Sequence, residues 1–104
     1  MQTNNAQYVV VFTSILNPDA EAYHQWGKQM ESLVVQQPGY ISHKSFRNPE
    51  GLGVTLSYWE SLEAIRLWHT NTQHQQAQAY GKKEAYLEYT IEVCEIKRAY
   101  SFPN

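Results

Sequence analysis

The stretch YVVVF, Tyr8 to Phe12, is apolar on both alternating parities. An extended strand sends successive side chains to opposite faces, so a run without alternation needs cover on both sides. The segment near the other end makes the same demand. Leu87, Tyr89, Ile91 and Val93 share one parity, and the apolar residues then switch to Cys94, Ile96, Tyr100 and Phe102. Such a switch signals a bulge, or a second face that meets something apolar. The sheet these strands join must be shielded above and below.

The residues between them supply the other elements. NPDA places Asn17 as N-cap, Pro18 at the first helical position and Asp19 on the positive end of the helix dipole. Tyr23, Trp26, Met30, Leu33 and Val34 then form one apolar stripe, which QQPGY ends at Pro38 and Gly39. YISHKSF and LGVTLSYW read as a hairpin, with Pro49 and Gly51 at the second and fourth positions of a type I turn. Leu52, Val54, Leu56 and Tyr58 make one parity of its second strand plainly apolar.

Ser61 caps a short helix carrying Leu62, Ile65 and Trp68 on one side. TNTQ interrupts it, and both Thr70–Gln73 and Thr72–Gln75 have capping-box spacing, so a second short helix is expected from near Thr72 to about Glu84. The order is β-α-β-β-α-β. It predicts one α+β, ferredoxin-like domain over residues 1–104, an antiparallel four-stranded sheet with helices on one face. Because the other face is not polar, two copies are expected to pack sheet on sheet as a homodimer, burying on the order of 800 Å2 each.

Composition narrows the partners. A chain of this mass buries about two-thirds of its unfolded surface, enough for one core without staples. The lone Cys94 forbids an internal disulfide and suits a reducing compartment. Ten acidic against eight basic residues give no electrostatic footprint for nucleic acid or anionic lipid. No Lys or Arg precedes the short N-terminal apolar run, so neither signal peptide nor membrane helix is expected, and the reading is cytoplasmic. Eight tyrosines among 104 residues are more amphipathic rings than a small monomer needs; their natural places are a pocket or a subunit interface.

His74 is the candidate base. A neutral imidazole pointing inward takes the proton of a bound phenol or hydroquinone, and the resulting anion gives an electron to O2 far more readily than the neutral molecule. Trp68 continues the Leu62–Ile65 stripe, which fits core packing and also one wall of a pocket under the helix. Tyr58 is placed to anchor a ligand oxygen and to clamp a ring with Trp68. His43 shares its parity with Ile41, Ser45 and Arg47, and counts as a substrate contact or a packed strand histidine. His24 and His69 read as exposed or interface residues. Tyr80 and Tyr86 are placed to close the pocket mouth. No histidine pair stands four apart, and no cysteine or carboxylate completes a metal set. Neither a covalent nucleophile arrangement nor a phosphate-cradling loop is present.

The segments VVFTS, QQPGY, GVTLSYWESLEAIRLW, QHQQAQAYGKKEAYLEY and EIKRAYSF resemble the antibiotic biosynthesis monooxygenase domain family, most nearly its stand-alone bacterial members. The resemblance runs from about Tyr8 to Phe102 and implies a dimeric α/β barrel of ferredoxin-like subunits. Some members oxygenate electron-rich polycyclic phenols with no metal or flavin; others bind and open haem, and others oxidise or isomerise small quinones. The haem-degrading pattern is an Asn on the first strand, a Trp on the helix after the third, and a His ten residues further on. Trp68 matches. Gln78 stands where that histidine would be, and Tyr8–Leu16 contains no Asn. A haem ligand is then conceivable only as His74, one turn earlier on the same helix face. The favoured expectation is cofactor-free oxygenation of a small aromatic or quinone-like molecule, with His74 as base and Trp68, Tyr58, Gln78 and His43 around the substrate. Haem degradation is the first alternative; a non-catalytic dimer that binds a metabolite is the second.

Overall fold

The computed structural model describes residues 6–20 and 22–103, with the side chains of His24, Thr72, Gln73 and Lys83 outside that description. The reading of His24 as an exposed histidine therefore lies outside the described residues. Its elements are β1 (Tyr8–Leu16), α1 (Tyr23–Val34), β2 (Tyr40–Arg47), β3 (Leu52–Trp59), α2 (Leu62–Thr70), α3 (Thr72–Tyr80), one π-helical turn (Gly81–Ala85) and β4 (Tyr86–Glu95). The four strands form an antiparallel sheet in the order β2-β3-β1-β4. This is the ferredoxin-like α+β arrangement.

Register decides what each face carries. Trp59, fully buried, packs with Val34 and Ala64 and has Val10, Tyr40, Ile65 and Trp68 around it, so its parity is the helix-covered one. Tyr8, Val10, Phe12 and Ser14 of β1 lie opposite Trp59, Ser57, Thr55 and Gly53, and share that face. Val9, Val11, Thr13 and Ile15 pair with Tyr58, Leu56, Val54 and Leu52 on the open face. The plainly apolar parity of β3 thus points away from the helices. Phe46 and Leu52 are left 62% and 49% exposed there. Lys44 reaches over the Tyr58 ring at 5.5 Å.

Three local expectations are corrected. Asn17 does not cap α1. Its Oδ1 accepts from the Asp19 N–H, and its own N–H and Nδ2 donate to the carbonyls of Ala85 and Glu84. Asn17 is spent tying the end of β1 to the turn before β4, and the helix starts at Tyr23, where the Tyr80 hydroxyl accepts from the Ala22 N–H. Secondly, α3 is capped by Asn71, whose Oδ1 accepts from the His74 N–H at 3.1 Å; Thr70 bonds back to the carbonyls of Arg66 and Leu67. Thirdly, the irregularity of β4 falls at Ile15/Leu16 opposite Tyr86, far from the parity switch at Cys94. Tyr100 and Phe102 lie beyond the strand, both strongly exposed.

Other signals read directly. Ser61 Oγ accepts from the Ala64 N–H, and Gly51 closes the hairpin by donating to the Asn48 carbonyl at 3.0 Å with φ +98°. Gly39 is also required: φ is +81°, and a Cβ there would lie 2.5 Å from the Ala64 Cβ.

Candidate functional site

The break between α2 and α3 brings two side chains together that the sequence separates by six positions. Asn71 has extended backbone (φ −58°, ψ 130°), which ends α2 and redirects the chain. The imidazole of His74 then lies flat on the indole of Trp68, with centroids 4.0 Å apart and planes 14° from parallel. Its Nδ1 sits 2.9 Å from the Trp68 carbonyl oxygen. A carbonyl accepts only, so the proton of neutral His74 resides on Nδ1 and Nε2 holds the lone pair. Among the described residues, Nε2 has no hydrogen-bond partner.

Gln78 stands beside this pair. Its Nε2 is 3.3 Å from His69 Nδ1 and 3.5 Å from His74 Nδ1. Since His74 Nδ1 already donates to Trp68, the amide makes its real bond to His69. Burial holds the imidazole of His74 below its ordinary pKa of 6.5; the Trp68 carbonyl opposes that shift and the neighbouring His69 adds to it.

His43 lies on the helix-covered face, opposite Ser57. Its Nδ1 is 2.5 Å from the Tyr40 hydroxyl. Burial, and then the Glu31 carboxylate, raise the Tyr40 pKa, so the phenol stays protonated beside His43. Tyr40 in turn packs edge-on against Trp59, whose indole N–H donates to Ser57 Oγ.

The structure separates Tyr58 from the rest. It neighbours Trp59 on an extended strand and so occupies the open face, while Trp68 packs with Trp59 on the covered one. Tyr58 and Trp68 of one subunit cannot clamp the same ring. The space beside Trp68 is filled by the Val34–Trp59–Ala64 core on one side and by His74 on the other. Two depressions lie elsewhere. One, about 380 Å3, runs along Lys28, Gln29, Ser32, Leu33 and Gln36 of α1. The other, about 310 Å3, is bordered by Thr13, Ile15, Leu52, Glu88 and Thr90.

A second aromatic cluster was only half visible in the sequence. Arg47 reaches across Gly53 to β1, where its guanidinium donates to Ser14 Oγ at 2.8 Å and to the carbonyls of Ser14 and Gly51. The Tyr23 and Tyr86 rings lie 5.8 and 5.9 Å from it. Phe12 and Tyr89 complete the group against Tyr86, and Tyr80 stacks on Trp26 nearby. Burial pushes the Tyr86 phenol far above its usual range, with Tyr23 adding to it, so Tyr86 stays neutral. Tyr80 and Tyr86 are half-buried, Tyr80 against Trp26 and Tyr86 against Phe12, Tyr23 and Tyr89. The signal that could have found Arg47 is Gly53: a Cβ there would lie 2.6 Å from the guanidinium carbon.

Comparison with known proteins places the chain in context. Residues 7–80 match the family described as antibiotic biosynthesis monooxygenase. The uncharacterized protein YqjZ of Bacillus subtilis (strain 168) is 35% identical over 91 residues, covering 88% of this chain and 80% of its own. SnoaB, a cofactor-independent oxygenase from Streptomyces nogalater, superposes with a TM-score of 0.73 over 95% of this chain and 99% of its own, at 13% identity. Rv0793 from Mycobacterium tuberculosis gives 0.80 over 92% and 100%, at 15% identity. At such identities these two likenesses establish the fold alone.

Proposed function

The chain belongs to the antibiotic biosynthesis monooxygenase family, and from that premise we propose that it oxygenates a small phenolic or hydroquinone-type compound without a cofactor. One observation carries the reading: His74 is a largely buried imidazole whose Nδ1 proton is committed to a carbonyl, with Nε2, unpartnered among the described residues, as the base. That nitrogen takes the proton of the substrate hydroxyl. The anion passes one electron to O2, and the substrate radical and superoxide join in a carbon–oxygen bond. The hydroperoxide loses water, one oxygen leaving in it and the other staying as a carbonyl; no external reductant enters. His43, on the helix-covered face, is the contact for a substrate oxygen, and Trp68 backs the base.

The residues do not make a haem site of the family pattern: β1 has no Asn, and Gln78 carries an amide already engaged with His69. Support for a homodimer comes from the open face, where Val9, Val11, Ile15, Leu52, Val54, Leu56 and Tyr58 form one apolar surface. A second copy packed on that face would cover it, with Tyr58 at the interface.

Oxygen consumption with anthrone and with a substituted hydroquinone tests the proposal. The expected outcome is uptake by the wild type and a loss of about 10²–10⁴-fold in His74→Ala, the usual worth of a positioned base. Equal uptake by the variant, or none by the wild type, would sink it. The rival reading, a dimer that binds a metabolite without oxidising it, is favoured by the filled space beside Trp68. Binding of these compounds without oxygen uptake would decide for it.

A further inference from the structure

We infer that Trp68 and Asn71 are positioning residues for His74: together they fix its tautomer and orientation, and Trp68 is not a clamp for the substrate ring. The catalytic meaning rests on the function proposed above; the positioning does not.

The Trp68 carbonyl belongs to the last turn of α2 and lacks an intrahelical partner by position. It accepts from the Asn71 N–H at 3.1 Å and from His74 Nδ1 at 2.9 Å. The Asn71 side chain caps α3 through the His74 N–H, and its carbonyl accepts from Gln75. One residue therefore ends the first helix and starts the second, which places His74 over the residue whose carbonyl orients it. The indole is the other half of the device. An imidazole lying 4.0 Å above it, at 14°, has one face covered by protein, and that indole face is closed to a ligand.

The arrangement also prepares His74 for a charge. When Nε2 takes a proton, the imidazolium sits on an aromatic face and at the negative end of the α2 dipole, both of which favour a cation, while its place in the first turn of α3 opposes one. Among the described residues, the groups that face it are the Trp68 ring and carbonyl, His69 and Gln78. His69 alone among them carries charge when protonated, and it works against a second proton. Burial keeps the base neutral at rest, while the indole and the helix end make its protonated form accessible.

Long-range proton–nitrogen NMR of the histidine rings tests this without any substrate. In the wild type, His74 is expected to show the Nδ1–H pattern; free histidine in water favours Nε2–H. Asn71→Ala should lose that pattern, and Asn71→Ser, which keeps a capping hydroxyl, should restore it. Trp68→Leu keeps the carbonyl and removes the ring, so the tautomer should persist while the upfield ring-current shift that the stacked indole imposes on the His74 ring protons is lost. A wild-type His74 with Nε2–H, or His74 ring-proton shifts unmoved in Trp68→Leu, overturns the inference. Should Asn71→Ala fail to fold, the wild-type and Trp68→Leu spectra decide by themselves. The expected spectra without oxygen uptake would leave the positioning intact and remove the oxygenase reading.

Discussion

The two aromatic clusters under the helices are built from similar residues and end in opposite chemical states. Around Arg47, Ser14 is 1% exposed, and both it and the guanidinium are held by bonds within the protein. Tyr86 is kept protonated by burial. Around Trp68, one nitrogen of one imidazole has no bond assigned to it among the described residues. A cluster whose polar atoms are satisfied is scaffold, because any ligand would have to compete with bonds already made. A cluster with a spare lone pair held still by its neighbours is a candidate for proton transfer.

The widest test of that contrast is Arg47→Met. It leaves the buried Ser14 hydroxyl without its charged donor and should lower stability by about 2–3 kcal/mol in urea unfolding. Oxygen uptake per folded molecule should stay within about twofold of the wild type, since buried scaffold does not touch the reacting atoms. A fall in uptake as large as that of His74→Ala would erase the distinction between the clusters. Tyr80→Phe removes the acceptor for the Ala22 N–H at the uncapped start of α1 and should cost about 1 kcal/mol by the same measurement.

The smallest effect is the most specific. The folded protein holds His74 below 6.5, so the unfolded chain takes a proton first as pH falls. Any contribution of His74 to stability is complete above 6.5, declines as pH drops through that value, and levels off below the folded midpoint. Melting curves of wild type and His74→Gln at pH 7.5 and pH 5.5 should therefore differ more at the higher pH than at the lower. The acid limb of kcat/KM for phenol oxygenation should lie below 6.5 for the same reason, because the base works in its neutral form. A limb above 6.5 would mean that another group limits the rate.

Much of the local structure was legible. Ser61, the Asn48–Gly51 turn and the extent of β3 followed from capping, turn chemistry and alternation that act over a few residues, whereas the last strand stops at Glu95, short of the run to Phe102. The failures share one cause. Asn17 looked like a cap, yet it bonds to Glu84 and Ala85, partners almost seventy positions away. Asn71 lay inside the interruption TNTQ between two threonines with capping-box spacing, and local spacing could not rank the three. Arg47 looked like a strand residue beside His43; its bonds to Ser14 depend on Gly53 lying between them in the sheet, a fact of register.

The candidate site divides along the same line. The types and positions of His74 and Trp68 marked them out, and helical spacing kept Leu62, Ile65 and Trp68 on one stripe. The stacking of the two rings needed the chain to change direction at Asn71. Tyr58 shows the limit most clearly. Alternation placed Leu52, Val54, Leu56 and Tyr58 on one side of a strand with certainty, because side chains of extended backbone repeat every two residues. It carried no sign for which side the helices would take.

From the linear chain alone came the apolar residues on both parities of β1, the order of elements and the residues that travel together on each strand; all of these follow from periodicity and neighbours a few positions apart. Which face the helices occupy, which nitrogen of His74 meets the Trp68 carbonyl and which buried donors find acceptors were settled by strand register and by the crossing of α2 and α3 over the sheet. Those depend on distances between residues remote in sequence, and no local pattern encodes them.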